Sequence, residues 1–378
     1  MKNRLKLSSL MILLCLLASP PGWSAEQMRV AYLNPTHEGD MFWGRVVGFM
    51  RAVADDLEID LRVYYNDSAN RFGEKEIAQK VLSGEDKPDY FITQIKRNTL
   101  VSLLKMTSDN NIRYFTINTG VSEEDKEKVG SPRGKFPNWI GQMVPDDYQA
   151  GYELAEFLIV RAGSTGIIGE DKSSGLLALS GGRDSTAALQ RNKGLMDALN
   201  RYQNVQLKQL LFTEWGLEAS YELAGKLFRR HPDISVIWAA SDGIALGVAR
   251  AANESGLQIN KDVITGGIDW SLEGIDAVKN GTLSVSLGGH FMEAGWALVL
   301  LHDYHHGIDF APDTGVVIKT EFIPLTQENL PVYEKMLTPA TLSRIDFKRF
   351  SKVHNPALKK YRFGLDALTF REDTQRQR

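Results

Sequence analysis

The residues in this sequence that could do chemistry are polar and aromatic, and they stand just after stretches that read as β-strands. They are Asn34, Asp40, Phe42 and Trp43; Thr93 and Gln94; Asn118; Gln142; Trp215; Ser241 and Asp242; Asp269 and Trp270; and His290. Amides and carboxylates form paired hydrogen bonds with hydroxyl groups, and aromatic faces cover apolar C–H surfaces. Such a mixture suits a small polyhydroxylated ligand held between two walls. Taken singly, each residue could equally be a turn former, a helix cap or a surface group. Asp242 could cap a helix starting at Gly243 and still touch a ligand.

Bond-making chemistry has little behind it. No Ser–His–Asp arrangement, paired acid signature or zinc spacing stands out, so the sequence does not read as an enzyme. One loop points elsewhere: Ser180-Gly181-Gly182-Arg183-Asp184-Ser185 follows an apolar run and precedes a helix. Ser-Gly-Gly-x-Asp-Ser is the pyrophosphate loop of enzymes that adenylate a carbonyl oxygen with ATP, and small residues at a helix N-terminus let backbone N–H groups reach a phosphate. Close packing at a strand-to-helix turn needs the same small residues. His302, His305 and His306 share a helix face and could approach a metal, but no cysteine and no convincing carboxylate partner accompany them. Histidines near a helix C-terminus also complement its dipole. No cofactor and no metal are expected.

The elements that must position these residues alternate between two periods. Arg29–Leu33, Leu61–Tyr65, Asp89–Thr93, Tyr114–Ile117 and Trp139–Met143 read as strands. Between them run amphipathic helical stretches, such as the one marked by Trp43, Val46, Val47, Met50, Val53, Ala54 and Leu57. From Asp146 the rhythm repeats, with strands at Leu176–Leu179, Val205–Phe212, Ser235–Ala240, Val263–Ile268 and Leu283–Leu287. Strands alternating with helices require crossover connections, hence parallel sheets covered on both faces. Two such blocks predict two Rossmann-like α/β lobes. In open parallel sheets, ligands bind beyond the carboxyl ends of the strands, where the polar set lies.

The first 24 residues read as a signal peptide. Lys2, Arg4 and Lys6 precede an apolar run from Leu10 to Ala18, and Pro20, Pro21 and Gly22-Trp23-Ser24-Ala25 follow. Cleavage is expected after Ser24. The one cysteine, Cys15, lies in this segment behind Leu14, so a lipid anchor is not expected. Removing three cations from a formal charge of -3 leaves about -6. A mildly acidic exported chain without a basic tract disfavours nucleic acid and a polybasic membrane patch. The first strand begins too soon after the signal to leave room for a DNA-binding headpiece.

Four stretches make the chain resemble a type I periplasmic solute-binding protein of the ribose- and galactose-binding group. They are Asp40-Met41-Phe42-Trp43, Ser185 to Gly194 with its Arg191-x-x-Gly194, Ala240-Ser241-Asp242-Gly243-Ile244-Ala245-Leu246-Gly247, and Gly267-Ile268-Asp269 followed by Gly274 to Val278. The resemblance covers about residues 28 to 325. It implies two lobes hinged by three crossings near Gly141, Gly288 and Lys319, with the ligand between them. The lobes would be residues 25–141 with 289–318, and 142–288 with 319–327; residues 328–378 form an extension that could wrap the lobes or reach a partner. It also implies roles. Phe42, Trp43 and Trp215 would pack on ligand faces, and Asn118, Asp242 and Asp269 would accept hydroxyl protons. Arg191 would donate a forked pair of hydrogen bonds, and Gln142 and His290 would face the cleft from hinge crossings. Ser241, Asn118 and the Gly288-Gly289-His290 stretch depart from the usual sugar-binding pattern.

The implied protein is a periplasmic monomer that delivers a sugar-like ligand to an ABC transporter permease. A sensor that presents its closed form to a membrane kinase, cyclase or chemoreceptor would use the same physics.

Overall fold

The computed structural model describes residues 27–368 apart from 69–71, 170–173, 335–337 and 366–367. The expected signal peptide, with Cys15, lies outside the described residues. The strands are β1 Arg29–Asn34, β2 Asp60–Tyr65, β3 Tyr90–Gln94, β4 Arg113–Ile117, β5 Trp139–Pro145, β6 Ser174–Ser180, β7 Val205–Phe212, β8 Ile234–Ala239, β9 Ile264–Ile268, β10 Ser286–Gly288, β11 Val317–Thr320 and β12 Ile323–Leu325. They form two six-stranded sheets, ordered β11-β5-β4-β3-β1-β2 and β12-β10-β9-β8-β6-β7. Every pairing is parallel except β10 with β12.

The connecting helices are α1 Met41–Asp56, α2 Gly73–Ser83, α3 Leu100–Asp109, α4 Glu123–Val129, α5 Asp147–Ser164, α6 Thr186–Leu199, α7 Leu217–Arg230, α8 Asp242–Glu254, α9 Leu272–Asn280 and α10 Glu293–His305. One face of the first sheet packs on α1 and α10, where Tyr32, Ile92, Phe49, Val53 and Trp296 share a core. Its other face packs on α2 and α3 through Leu33, Phe91, Ala78 and Leu104. The second sheet has one core, formed with α5 to α8 around Leu177, Ile237 and Trp238. The two-lobe α/β architecture is therefore the one the alternating periods predict.

The chain passes between sheets at three places. It leaves the first sheet after Pro145, returns between Gly288 and His290, and leaves again between Thr320 and Ile323. Gly141, where the first crossing is expected, lies inside β5. A Cβ there would stand 2.5 Å from Phe115 Cε2 and 2.9 Å from Phe310 Cζ, so this glycine makes room for core aromatics.

A fourth passage follows. Beyond β12, Gln327 Nε2 donates to Lys279 O and the Tyr333 ring lies 5.8 Å from Trp270, both on the second lobe. By Phe347 the segment is on the first lobe, where Phe347 N donates to Asp56 Oδ2 at 2.7 Å. Phe347, Phe350 and Phe363 surround Trp296 of α10. The carboxylate of Asp303, fully buried, accepts from Ser351 Oγ, Lys352 N and Tyr361 Oη. Burial alone would raise this carboxyl, but those hydrogen bonds and one from His302 hold it below its ordinary range. The extension thus wraps both lobes.

Asp303 is the anchor whose loss should be felt most. Asp303→Ala should lower the free energy of unfolding by about 3 kcal/mol, since it orphans several buried donors at once. Urea denaturation reads this directly; an unchanged midpoint would mean that the extension is not held through Asp303.

Candidate functional site

The site forms where the carboxyl ends of both sheets face each other. Asp40 has a local task that fixes its neighbours. Its Oδ1 accepts from Phe42 N at 3.0 Å and Trp43 N at 2.8 Å, starting α1 and setting both rings at the seam. Phe42 meets Trp43 edge to face at 5.0 Å and stacks on His290 at 4.6 Å and 22°. Phe322, from the third crossing, covers His290 from another side at 4.6 Å. Burial drives the His290 imidazole well below its ordinary range, and Arg191 adds to this, so the ring is neutral. Its Nδ1 finds no hydrogen-bond partner in the protein.

Arg191 comes from α6 and is buried, 3% exposed. Nε donates to Asp147 Oδ1 at 2.8 Å and Nη1 to Ala240 O at 2.7 Å. The guanidinium carbon lies 5.8 Å from the Trp215 ring and 5.6 Å from the Phe322 ring. Asp269 Oδ1 stands 3.8 Å from Nη1 and 3.5 Å from His290 Nε2. Burial pushes the Asp269 carboxyl up to about 8 against the pull of Arg191, with Asp40 and Asp147 adding to the rise. Asp269 and Trp270 both adopt positive φ, at 139° and 54°, a costly backbone for residues with side chains.

Trp215 also has positive φ, 67°, and its ring lies over the glycine turn after β6. A Cβ on Gly181 would fall 2.2 Å from Trp215 Cε2. The Ser180–Ser185 loop is therefore glycine-rich because it seats this tryptophan. Arg183 of the same loop lies 4.1 Å from the Phe212 ring.

Other expected residues take different positions. Ser241, not Asp242, caps α8, its Oγ accepting from Ile244 N at 3.3 Å. Asp242 begins that helix and is fully buried. Ser286 Oγ donates to its Oδ1, and Ser271 N and Oγ donate to its Oδ2. These bonds, with burial that lifts the carboxyl to about 7, make Asp242 a tie between α8, α9 and β10 behind the cleft wall. Gln142 sits inside β5, not at a crossing, and its Nε2 donates to Thr119 O at 3.2 Å. Asn118 is buried with φ 65°; its N–H donates to Met143 O and to Glu293 Oε2. Gln94 ends β3 and is 9% exposed. The lobes touch across the seam: Thr186 Oγ1 donates to Gly120 O at 2.8 Å, and Arg45 Nη1 donates to Trp270 O.

Three site residues escape the sequence reading. Asp147 looks like half of an acidic capping doublet with Asp146, yet only Asp146 caps α5, accepting from Gln149 N. The surplus acid is the one signal available. Phe322 is a lone aromatic in a short connector. Glu293 opens α10 and looks like a dipole complement, but its carboxylate accepts from both Thr320 Oγ1 and Asn118 N, tying a crossing to β4. At the histidine cluster, His302 Nδ1 faces Asp303 Oδ1 at 3.1 Å and its ring packs on His306 and His354. Among the described residues no group of three or more His, Cys, Asp and Glu side chains could hold a metal.

Comparison with known proteins gives the same architecture. A periplasmic sugar-binding protein from Pseudomonas fluorescens is 32% identical, superposes with a TM-score of 0.80, and covers 90% of this chain and 98% of its own. A D-allose-bound ABC transporter solute-binding protein from Actinobacillus succinogenes, 16% identical, shares the fold with a TM-score of 0.71, over 81% of this chain and all of the other. Among curated proteins, the galactofuranose-binding protein YtfQ of Escherichia coli is 20% identical over 56% of this chain, and the ribose import binding protein RbsB of Salmonella typhimurium 24% identical over 39%. The matches span 62% and 46% of those two proteins' lengths. Residues 30–306 match the family described as "Periplasmic binding protein domain". With two parallel sheets, the chain crossings between them and a polar seam at the strand ends, the chain belongs to that family of binding proteins and is of its type I.

Proposed function

We propose that this protein captures a small hydroxyl-rich molecule, a sugar, between its lobes and delivers it to the membrane permease of an ABC transporter. The observation that carries this reading is the convergence of polar edges and aromatic faces at one seam. Arg191, Asp269 and His290 supply the edges; Phe42, Trp215 and Phe322 supply the faces. The guanidinium, held at Nε and Nη1, offers Nη2 to a ring or hydroxyl oxygen. Asp269 accepts a hydroxyl proton, and Gln94, Asn118 and Ser241 line the polar margin. Trp43 braces Phe42. Relatives named for ribose import and galactofuranose binding favour a sugar over other small polar ligands. The chain works in the periplasm after removal of residues 1–24 and acts as a monomer. The lobes, rejoined at Pro145–Asp147, Gly288–His290 and Thr320–Ile323, close on the ligand, and the permease reads the closed form.

Screening purified protein against D-ribose, D-allose, D-galactose, L-arabinose and myo-inositol should find a ligand that raises the melting temperature by mass action. If none does, and scattering shows no compaction with any of them, the sugar reading fails. Trp215→Ala should weaken that ligand by about tenfold or more, because a stacking face is lost; isothermal titration reads the change.

Asp269 makes binding proton-linked. Its carboxyl, near 8 when ligand-free, must ionise to accept a hydroxyl proton well. A hydroxyl donor favours the charged form, so binding releases a proton and affinity should climb from about pH 6 to about pH 8. Titration in buffers of different ionisation enthalpy detects the proton; Asp269→Asn should remove both the release and the slope. Affinity that falls over this range would mean that the protonated carboxyl is the binding form.

A further inference from the structure

The peptide between Trp270 and Ser271 is gripped from both lobes. At one end, Ser271 N donates to Asp242 Oδ2 of the second lobe at 2.9 Å. At the other, the Trp270 carbonyl accepts from Nη1 of Arg45, which comes from α1 of the first lobe. Arg45 is itself buried, and its guanidinium carbon lies 4.1 Å from the centre of the Phe291 ring at the second crossing. None of the roles assigned at the ligand seam uses this arginine.

The neighbouring peptides are pinned as well. Asp269 N donates to Leu287 O at 2.7 Å, and Trp270 N donates to Ser286 Oγ at 3.2 Å. The indole is fixed with them. Its Nε1 donates to Ser286 O at 2.9 Å, and a Cβ on Gly288 would stand 2.1 Å from its Cγ, so β10 is bare where the ring passes. Although Trp270 belongs to the second lobe, its ring is fully buried in the core that Phe49, Phe291 and Trp296 form in the first.

These ties have a strained backbone to hold. Asp269 and Trp270 are consecutive residues with side chains at positive φ, 139° and 54°. Such a pair relaxes unless its surroundings over-determine it. Three successive peptide planes bracket the pair, and each carries a hydrogen bond. Leu287, Ser286 and Asp242 act from the second lobe; Arg45 acts from the first. Arg45 bears on the plane that sets ψ of Trp270. Rotation of that carbonyl would draw Trp270 N away from Ser286 Oγ, and the Asp269 side chain would turn with it. Burying a guanidinium is a poor way to gain stability, whereas a planar group laid on Phe291 gives the carbonyl one direction in which to point.

We propose that Arg45 is a positioning residue: from the first lobe it holds the Trp270–Ser271 peptide, and through it the backbone that aims Asp269 at the ligand. The proposal rests on the sugar reading for what Asp269 meets. It makes the aim of a second-lobe acid depend on where the first lobe stands.

The test uses Arg45→Met and Arg45→Lys in the full mature chain. Hydrogen exchange without ligand reads the turn, and isothermal titration between about pH 6 and about pH 8 reads binding of the sugar found by the screen above. Arg45→Met should speed exchange of the Asp269–Ser271 amides by about tenfold while amides of β8 keep their rates. It should also weaken the sugar by about tenfold and flatten the pH dependence assigned to Asp269. Arg45→Lys keeps the charge but loses the flat face on Phe291, so it should act in the same direction by about threefold; it decides the matter alone if Arg45→Met does not fold. Unchanged exchange at the turn overturns the proposal. So does exchange that quickens equally in β8, which would make Arg45 a residue of general stability. Faster exchange at the turn with unaltered affinity and pH slope overturns it too, because Asp269 would then be aimed without Arg45. Should the parent respond to no sugar, the sugar reading falls by itself, and the contrast in exchange between the turn and β8 still decides whether Arg45 holds the turn.

Discussion

A guanidinium cannot shed its charge inside a protein, so a buried arginine must be paired, and Arg191 is the buried arginine around which this molecule is arranged. Asp147 meets Nε and the Ala240 carbonyl meets Nη1. These two bonds draw together the start of α5, the middle of α6 and the end of β8, three elements of the second lobe. They also decide what remains for a ligand. With Nε and Nη1 engaged, the guanidinium presents its remaining edge in one direction only. The flanking rings of Trp215 and Phe322 leave it little freedom to turn.

The carboxylates obey the complementary constraint. Burial raises Asp147, Asp269, Glu293 and Asp242 together, and repulsion from nearby carboxylates adds to each rise: Asp146 on Asp147, Asp40 and Asp147 on Asp269, Asp147 on Glu293 and Asp269 on Asp242. Proteins tolerate such crowding where hydrogen bonds absorb it. Asp242 accepts from two serines, and Glu293 from Thr320 and Asn118. Asp269 is different. Its side-chain neighbours, Arg191 Nη1 and His290 Nε2, stand at 3.8 Å and 3.5 Å, and its backbone is strained. Among these acids it is the least satisfied and the closest to the seam, which is the pattern expected of a group kept ready for a partner.

Much of this was legible in the sequence because it rests on periodicity. Val205–Phe212 reads as a strand although Gln206, Lys208 and Gln209 interrupt its apolar residues, and it is one over that full span. The central strands of both sheets are legible as elements, since burial on two faces demands continuous apolar residues, but their ends differ from the expected ones, most at β10, which starts at Ser286 and not Leu283. Of the four edge strands, β2 and β7 are legible and β11 and β12 are not. β11 is four residues long with Val317 and Lys319 exposed, and β12 is three residues long with Pro324 at its centre, so neither shows a strand period. At the site, residues placed by chain order were readable: Phe42, Asp269 and His290 follow strands or crossings and meet at the seam. Residues placed by packing between elements were not. Asp147 matters only because α6 lies against α5, and Phe322 only because the third crossing bends over His290. Asp242 shows the reverse error. A Ser-Asp pair at a helix start can cap with either member, and the choice of Ser241 freed Asp242 to turn inward.

The extension after β12 changes the mechanics of the two lobes, because it adds a fourth tie. Its two attachments differ in strength. On the second lobe it is held by an exposed ion pair between Lys279 and Glu334, a hydrogen bond donated by Gln327 Nε2 to Lys279 O, and the Tyr333 ring against Trp270. Exposed ion pairs contribute about 0–1 kcal/mol. On the first lobe it buries Phe347, Phe350, Tyr361 and Leu365, packs Phe347, Phe350 and Phe363 on Trp296, and saturates Asp303. Buried aromatic side chains contribute about 1.5–3 kcal/mol each. The segment therefore belongs mechanically to the first lobe, and its contact with the second is the one that yields when the lobes part. That weaker contact includes Trp270, the residue after Asp269 and the acceptor of the Arg45 hydrogen bond. Lobe separation is thereby tied to the backbone of Asp269, the acid proposed above to meet the ligand. The route needs no long-range pathway, since Tyr333, Trp270 and Asp269 are in contact or adjacent in sequence.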